Sequence, residues 1–157
     1  MPSPTSSLAS KVVEVSGKRY VIRKIPAVQA KAMIDNKDEI GTLLSVEVNG
    51  VALENEELID QLLPDWETLD ELIEIATLYN FEFLSNWKPV RFPAAMAGNY
   101  NASECRYIDP IFSSLISAGM ATLNELKTGY SLEEAFQLLE VLTVTRVNEF
   151  KAHEAAK

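Results

Sequence analysis

The chain reads as a mainly α protein with a small N-terminal β-hairpin, an α+β fold whose body is bundle-like. Three observations predict this. Residues 11–25 alternate apolar and polar side chains around Ser16-Gly17, the pattern of two strands and a tight turn. Residues 66–87 repeat apolar side chains at three- and four-residue steps, the pattern of a long helix. Ser131-Leu-Glu-Glu134 forms a capping box ahead of an apolar stripe.

In order along the chain, Met1 to Ser10 has neither a basic start nor an apolar run and reads as a flexible tail rather than a signal peptide. In the hairpin, Val13 and Val15 alternate before the turn, and Tyr20, Ile22 and Lys24 after it. Two strands alone are marginal in water, so the hairpin is expected to pack on helices or pair with another chain. Pro26 opens a helix to Asp35 with Val28, Ala32 and Met33 as its face. A shorter helix is expected around Gly41, over Lys37–Leu44. Asn49-Gly50 marks either a second hairpin or a loop. Glu54–Leu63 reads as a helix stopped by Pro64, with Leu58, Ile59, Leu62 and Leu63 inward.

Asp65 is the expected N-cap of the long helix Trp66–Trp87. Its stripe is Trp66, Leu69, Leu72, Ile73, Ala76, Tyr79, Phe83 and Leu84. The segment 88–108 starts with two prolines in six residues and reads as a connector between residues 11–87 and a C-terminal helical segment, 109–157. Helices are expected from Asp109-Pro110 to Gly119, over Ala121–Leu126, and from Ser131 to about His153. The last carries Leu132, Phe136, Leu139, Leu142, Val147 and Phe150.

Charge is segregated. Residues 1–37 hold seven basic against two acidic residues, a net +5. Residues 38–87 hold thirteen acids and no Lys or Arg, and residues 88–157 come to −1, for −9 overall. An acidic middle repels phosphates, so nucleic acid is not an expected partner. The basic and acidic segments are expected to attract each other within one chain; the sharper alternative has them meet on neighbouring copies, a homo-oligomer.

No apolar run is long enough to cross a membrane, and none is expected to bind one. The single cysteine, Cys105, is expected as a small buried hydrophobe in a reducing compartment. The six glycines are isolated, so no phosphate loop is present. The one histidine, His153, sits near a helix end. Paired acids such as Glu56-Glu57 and Asp70-Glu71 read as a solvated helix face. An enzyme, a cofactor and a metal site are therefore not expected. The expected activity is protein binding. Its candidate residues are Tyr20 and Ile22 on the hairpin, Trp87, Val90, Phe92 and Met96 in the connector, and Phe136 and Leu139 on the last helix. Ordinary packing of a long connector is the competing account of the Trp87–Met96 stretch.

Three stretches carry a resemblance. Gly17-Lys-Arg-Tyr-Val-Ile-Arg-Lys-Ile-Pro-Ala27 resembles the opening of tail assembly chaperones from long-tailed bacteriophages. Glu82 to Met96 and Tyr130 to Leu142 are similar to phage tail-module proteins. The resemblance implies a chaperone in the host cytoplasm that binds the tape measure protein, or tail-tube subunits, during tail morphogenesis. It also implies a family made in a short and a frameshifted longer form, with the division falling near residues 97–108. It carries over no individual site residue. The alternative is a structural virion component, such as a tail, baseplate or neck subunit; a host-directed adaptor ranks third.

Overall fold

A computed structural model describes residues 8–63, 65–96 and 103–157 of the chain. Most of the expected tail, the stop at Pro64 and the start of the 97–108 division lie outside the described residues.

Strands β1 (Ser10–Val15) and β2 (Lys18–Arg23) form the expected hairpin. Ser16 and Gly17 both take positive φ, +50° and +76°, the geometry a two-residue turn needs to match strand twist. Asn49-Gly50 repeats this at +51° and +78°, which settles that stretch as a hairpin of β3 (Val46–Val48) and β4 (Val51–Ala52). The four strands make one antiparallel sheet in chain order. Thus the hairpin gains its third strand from its own chain, with Tyr20 opposite Val48 and Ile22 opposite Val46. β1 already starts at Ser10, the last residue of the expected tail, and Ala9 accepts a hydrogen bond from Lys24 N–H at 2.8 Å.

One face of the sheet is covered by α2 (Glu56–Leu62) and α3 (Trp66–Phe81), with Asn55 and Asp65 capping them through side-chain oxygens. Val15, Tyr20, Ile22, Leu43, Val46, Val48, Leu53, Leu72 and Ala76 are the buried centre of this layer. Between the hairpins, Ile40–Ser45 forms a 3₁₀ turn where a short helix was expected. The expected single helix 66–87 turns at Glu82 and resumes as α4 (Phe83–Asn86). At its start Trp66 points outward, 79% exposed, so the true inward stripe begins at Thr68 and Leu72.

The second layer is helical. It contains α1 (Ala27–Asn36), α5 (Pro110–Ser117), α6 (Leu123–Thr128) and α7 (Leu132–Ala155). Both α6 and α7 start with a full capping box, Thr122 with Glu125 and Ser131 with Glu134. Of the expected α1 face, Met33 is buried and Val28 packs against the core, while Ala32 is exposed and Ala27 and Ala30 take the inward positions. Moreover, α1 packs with α5, α6 and α7 in one core of Ile25, Met33, Phe112, Leu115, Leu126, Leu132 and Ala135. The two cores are therefore not divided at 88–108: the chain enters the helical core at Ile25, returns to the sheet core from Leu43 to Tyr79, and joins the helical core again from Phe81. The beginnings of α1 and α7 are stitched together, since Ala27 N–H donates to Tyr130 O at 2.7 Å and Pro26 bridges to Ser131.

Lys24 joins the layers. Its ammonium lies 4.2 Å from the centre of the Tyr79 ring, pairs with Glu133 at 3.3 Å, and donates to the Tyr79 carbonyl. The attraction expected between the basic and acidic segments is realised in a single described ion pair, Arg23 with Glu47 at 3.1 Å. Lys24 and Lys31 instead reach Glu133 and Asp109 in the last third. Cys105 is exposed, contrary to expectation, because it falls in the irregular surface segment before α5. No helix among the described residues is long and apolar enough to cross a membrane.

Candidate functional site

The helix α7 runs 24 residues from its capped start, and its inward stripe meets the connector as well as α5. Phe136 fixes Trp87, the residue just ahead of the connector. The Trp87 ring stands edge-on to it at 5.1 Å and 86°, and the Phe83 ring at 5.5 Å and 71°. Edge-to-face pairs of this kind favour one ring orientation. From this anchor the chain runs through Pro89, Val90 and Phe92 without regular structure. Prolines at 89 and 93 hold it extended there and deny it helical hydrogen bonding.

The result is a groove of about 320 Å³. One wall is Trp87, Pro89, Val90 and Phe92; the floor and the other wall are Ile111 of α5 and Leu139 and Leu142 of α7. Phe92 is 58% exposed at the lip, although it is a large apolar side chain. Polar groups are few inside: Ser114, Glu140, Thr143 and Arg146. A concave apolar surface with a sparse polar rim suits a peptide segment or an apolar ligand.

The charged residues of the lining are balanced, one cation and one acid. Arg146 lines the groove, while Lys88 and Arg91 are exposed on the connector between its lining residues. None of the three lies within ion-pair distance of a carboxylate among the described residues. Glu140 is the one acid in the lining.

A larger cleft, about 470 Å³, lies between α1, α6 and the segment Tyr107–Asp109. Three of its four charged residues, Lys31, Asp35 and Asp109, are already matched to one another. Lys31 Nζ sits 2.8 Å from Asp35 and 3.1 Å from Asp109. These partners, Asp35 first, raise the Lys31 pKa above its ordinary value. An ammonium held between two carboxylates fixes α1 to the start of α5 rather than waiting for a ligand.

Of the eight residues expected to bind a partner, Trp87, Val90, Phe92 and Leu139 come together in the groove. Phe136 lies behind it as the aromatic support. Met96 is half-buried in the 3₁₀ turn Ala94–Met96 and does not line it. Tyr20 and Ile22 are corrections. Both are fully buried under α3, because the hairpin turns its apolar face to its own helices. The sequence reading missed Ile111, Leu142 and Arg146, which only tertiary packing places beside the connector. The signal for Leu142 was present in the helical stripe; Arg146 follows it at the next turn.

The fold and this groove define a mainly helical α+β protein with a small antiparallel sheet and an accessible, largely apolar groove. Comparison with protein-family models, with curated proteins and with solved structures finds no match to the chain.

Proposed function

We propose that this protein holds an apolar segment of another protein in the Trp87–Leu139 groove and acts as a tail assembly chaperone of a long-tailed bacteriophage. Its clients are the tape measure protein or tail-tube subunits, met in the host cytoplasm. The observation that carries the binding role is the groove itself: Val90, Phe92 and Leu139 line an open apolar channel whose connector wall is pinned to α7 by the Trp87–Phe136 pair. Exposed apolar surface of this kind marks interaction sites, and a helix laid in a groove is the natural mode. The phage assignment rests on the resemblance of Gly17–Ala27, Glu82–Met96 and Tyr130–Leu142. The acidic remainder of the surface suits a holder of aggregation-prone clients, since net negative charge favours solubility.

The test is co-expression of the chain with the tape measure and tail-tube proteins encoded beside it. Retention of either by the wild type, and its loss with Leu139→Asp, is the expected result. Failure to retain either one sinks the chaperone reading.

One observation favours the second reading, a structural virion component. β1 is an edge strand with Val12 57% exposed, so a neighbour's strand has room to extend the sheet. Mass spectrometry of purified virions separates the two, because a chaperone is absent from the finished particle.

A further inference from the structure

We propose that the free edge of β1 docks β1 of a second copy of this chain, antiparallel and in one register, so that two four-stranded sheets become one. The inference does not depend on what the groove holds.

The edge is defined by the ladder on its other side. β1 pairs with β2 from Ser10 to Val15 without a bulge, and among the described residues no strand lies on its far side. Lys24 N–H donates to Ala9 O at 2.8 Å, one step before the Ser10–Arg23 pair. Hydrogen-bonded and non-hydrogen-bonded pairs alternate along an antiparallel ladder. Ala9, Lys11, Val13 and Val15 therefore turn their backbone groups to β2. Ser10, Val12 and Glu14 turn theirs to the open edge. No proline interrupts the strand, and its one inward-facing charge, Lys11, is folded over the Tyr79 ring at 4.7 Å. Val12, on the solvent face opposite Val21, is 57% exposed. The sheet's other edge, β4, spans only Val51–Ala52 and has little to offer a partner.

A second copy fits because the strand complements itself. Two-fold symmetry about Val12 sets Val12 against its own counterpart and Ser10 against Glu14 of the second copy. All three free residues then enter hydrogen-bonded pairs, about six bonds in all. Sliding by two residues leaves one free residue of each strand without a partner. Charge selects the same register. On the outer face, Glu14 lies beside Arg19 of its own hairpin, and neither makes an ion pair among the described residues. Across Ser10 of the second copy it meets that copy's Arg23, the residue paired with Glu47 at 3.1 Å, so signs alternate along the row. Sliding one way brings Lys11 against Lys11, and sliding further the other way brings Glu14 against Glu14, both repulsive. The contact is isologous and closes as a dimer. Three residues a strand make a small interface, so the dimer is weak and depends on concentration.

The experiment is sedimentation velocity of the full chain from about 10 μM to about 1 mM, with amide hydrogen exchange at both ends of that range. Sedimentation should pass from monomer towards dimer. The Val12 and Glu14 amides should gain protection with it, and Val13 and Val15, already bonded to β2, should change less. Val12→Lys sets two ammonium groups at the symmetry axis and should weaken the dimer at least about tenfold. Val12→Pro removes only an edge N–H, so it should weaken the dimer likewise and keep the wild-type circular dichroism. Ser10→Glu, facing Glu14 of the second copy, should weaken association about fivefold, and Ser10→Lys should tighten it by a similar factor. Both shifts should fade in high salt. A chain still monomeric at the highest concentration overturns the inference. So does a dimer whose Val12 and Glu14 amides stay unprotected, or one that the two Ser10 variants move in the same direction. If the chain stays monomeric and a co-expressed tail protein protects the same amides, the edge belongs to that protein and the inference fails.

Discussion

The side-chain oxygen of Asn80 accepts the backbone N–H of Ile25 at 2.7 Å, and its amide donates to Ala76 O at 2.9 Å. Asn80 is 4% exposed, and the N–H it satisfies belongs to the residue where the chain leaves the sheet for α1. A buried N–H without a partner costs about 1–3 kcal/mol. Asn80→Leu keeps the branched shape, adds some bulk and removes the acceptor, so it should destabilise the fold by at least roughly 1 kcal/mol. Urea denaturation measures it. A loss below about 0.5 kcal/mol, the range of ordinary surface changes, would show that water replaces the bond.

The aromatic support of the groove makes its own prediction. Trp87 and Phe136 meet edge to face at 5.1 Å, and such pairs are coupled by about 0.5–1.5 kcal/mol beyond their burial. A double-mutant cycle of Trp87→Leu and Phe136→Leu should return a coupling in that range. Additive effects would mean that the rings pack independently, and that the connector is not anchored by this contact.

Tyr20 tests the correction to the expected binding residues. It is fully buried, and its hydroxyl has no hydrogen-bond partner. Burial first, and then the Asp65 charge, push its pKa above the ordinary value near 10. A phenol whose folded pKa is raised contributes stability below the unfolded value and loses it as pH climbs through the folded one. At neutral pH the buried hydroxyl without a partner costs desolvation, so Tyr20→Phe should raise stability there by about 1 kcal/mol; with nothing to titrate, it should also flatten the alkaline decline. Client binding should not change. A weakened client interaction would return Tyr20 to the binding surface.

The parts of the fold legible in the sequence were those set by local chemistry. Ser16-Gly17 and Asn49-Gly50 specify positive φ at adjacent residues, and both became hairpin turns. Asp65 and Ser131 carry side-chain acceptors at helix starts, and both cap the expected helix. What could not be read depends on which surfaces meet. Nothing in residues 27–36 says that α1 leaves the hairpin for α5–α7. Asn80 looks like any polar residue on a helix until Ile25 is placed beside it. Trp66 fits the apolar stripe by spacing, yet lies in the first turn, beyond the reach of the sheet. For the site, composition drew attention to Trp87–Phe92 and spacing to Leu139. Their convergence beside Ile111 and Leu142 required the packed structure.

Asp65 links a cap to pH. Its carboxylate accepts the Thr68 N–H at 2.7 Å, and Thr68 in turn meets the Ser16 hydroxyl at 3.0 Å across the hairpin turn. Hydrogen bonds from the Thr68 backbone, and then from its side chain, hold the Asp65 pKa below the ordinary carboxylate value. With the folded pKa depressed, the charged cap stabilises the fold above the unfolded value, about 3.9, and that contribution is lost as pH falls through the folded one. Asp65→Asn keeps a capping oxygen but has nothing to titrate. Thermal melts from pH 7 to pH 2.5 should therefore show the wild type losing more stability than Asp65→Asn, with the two curves drawing together at the acid end. Parallel curves across that window would show that the charge adds nothing to the cap, and that α3 is held at its start by hydrogen-bond geometry alone.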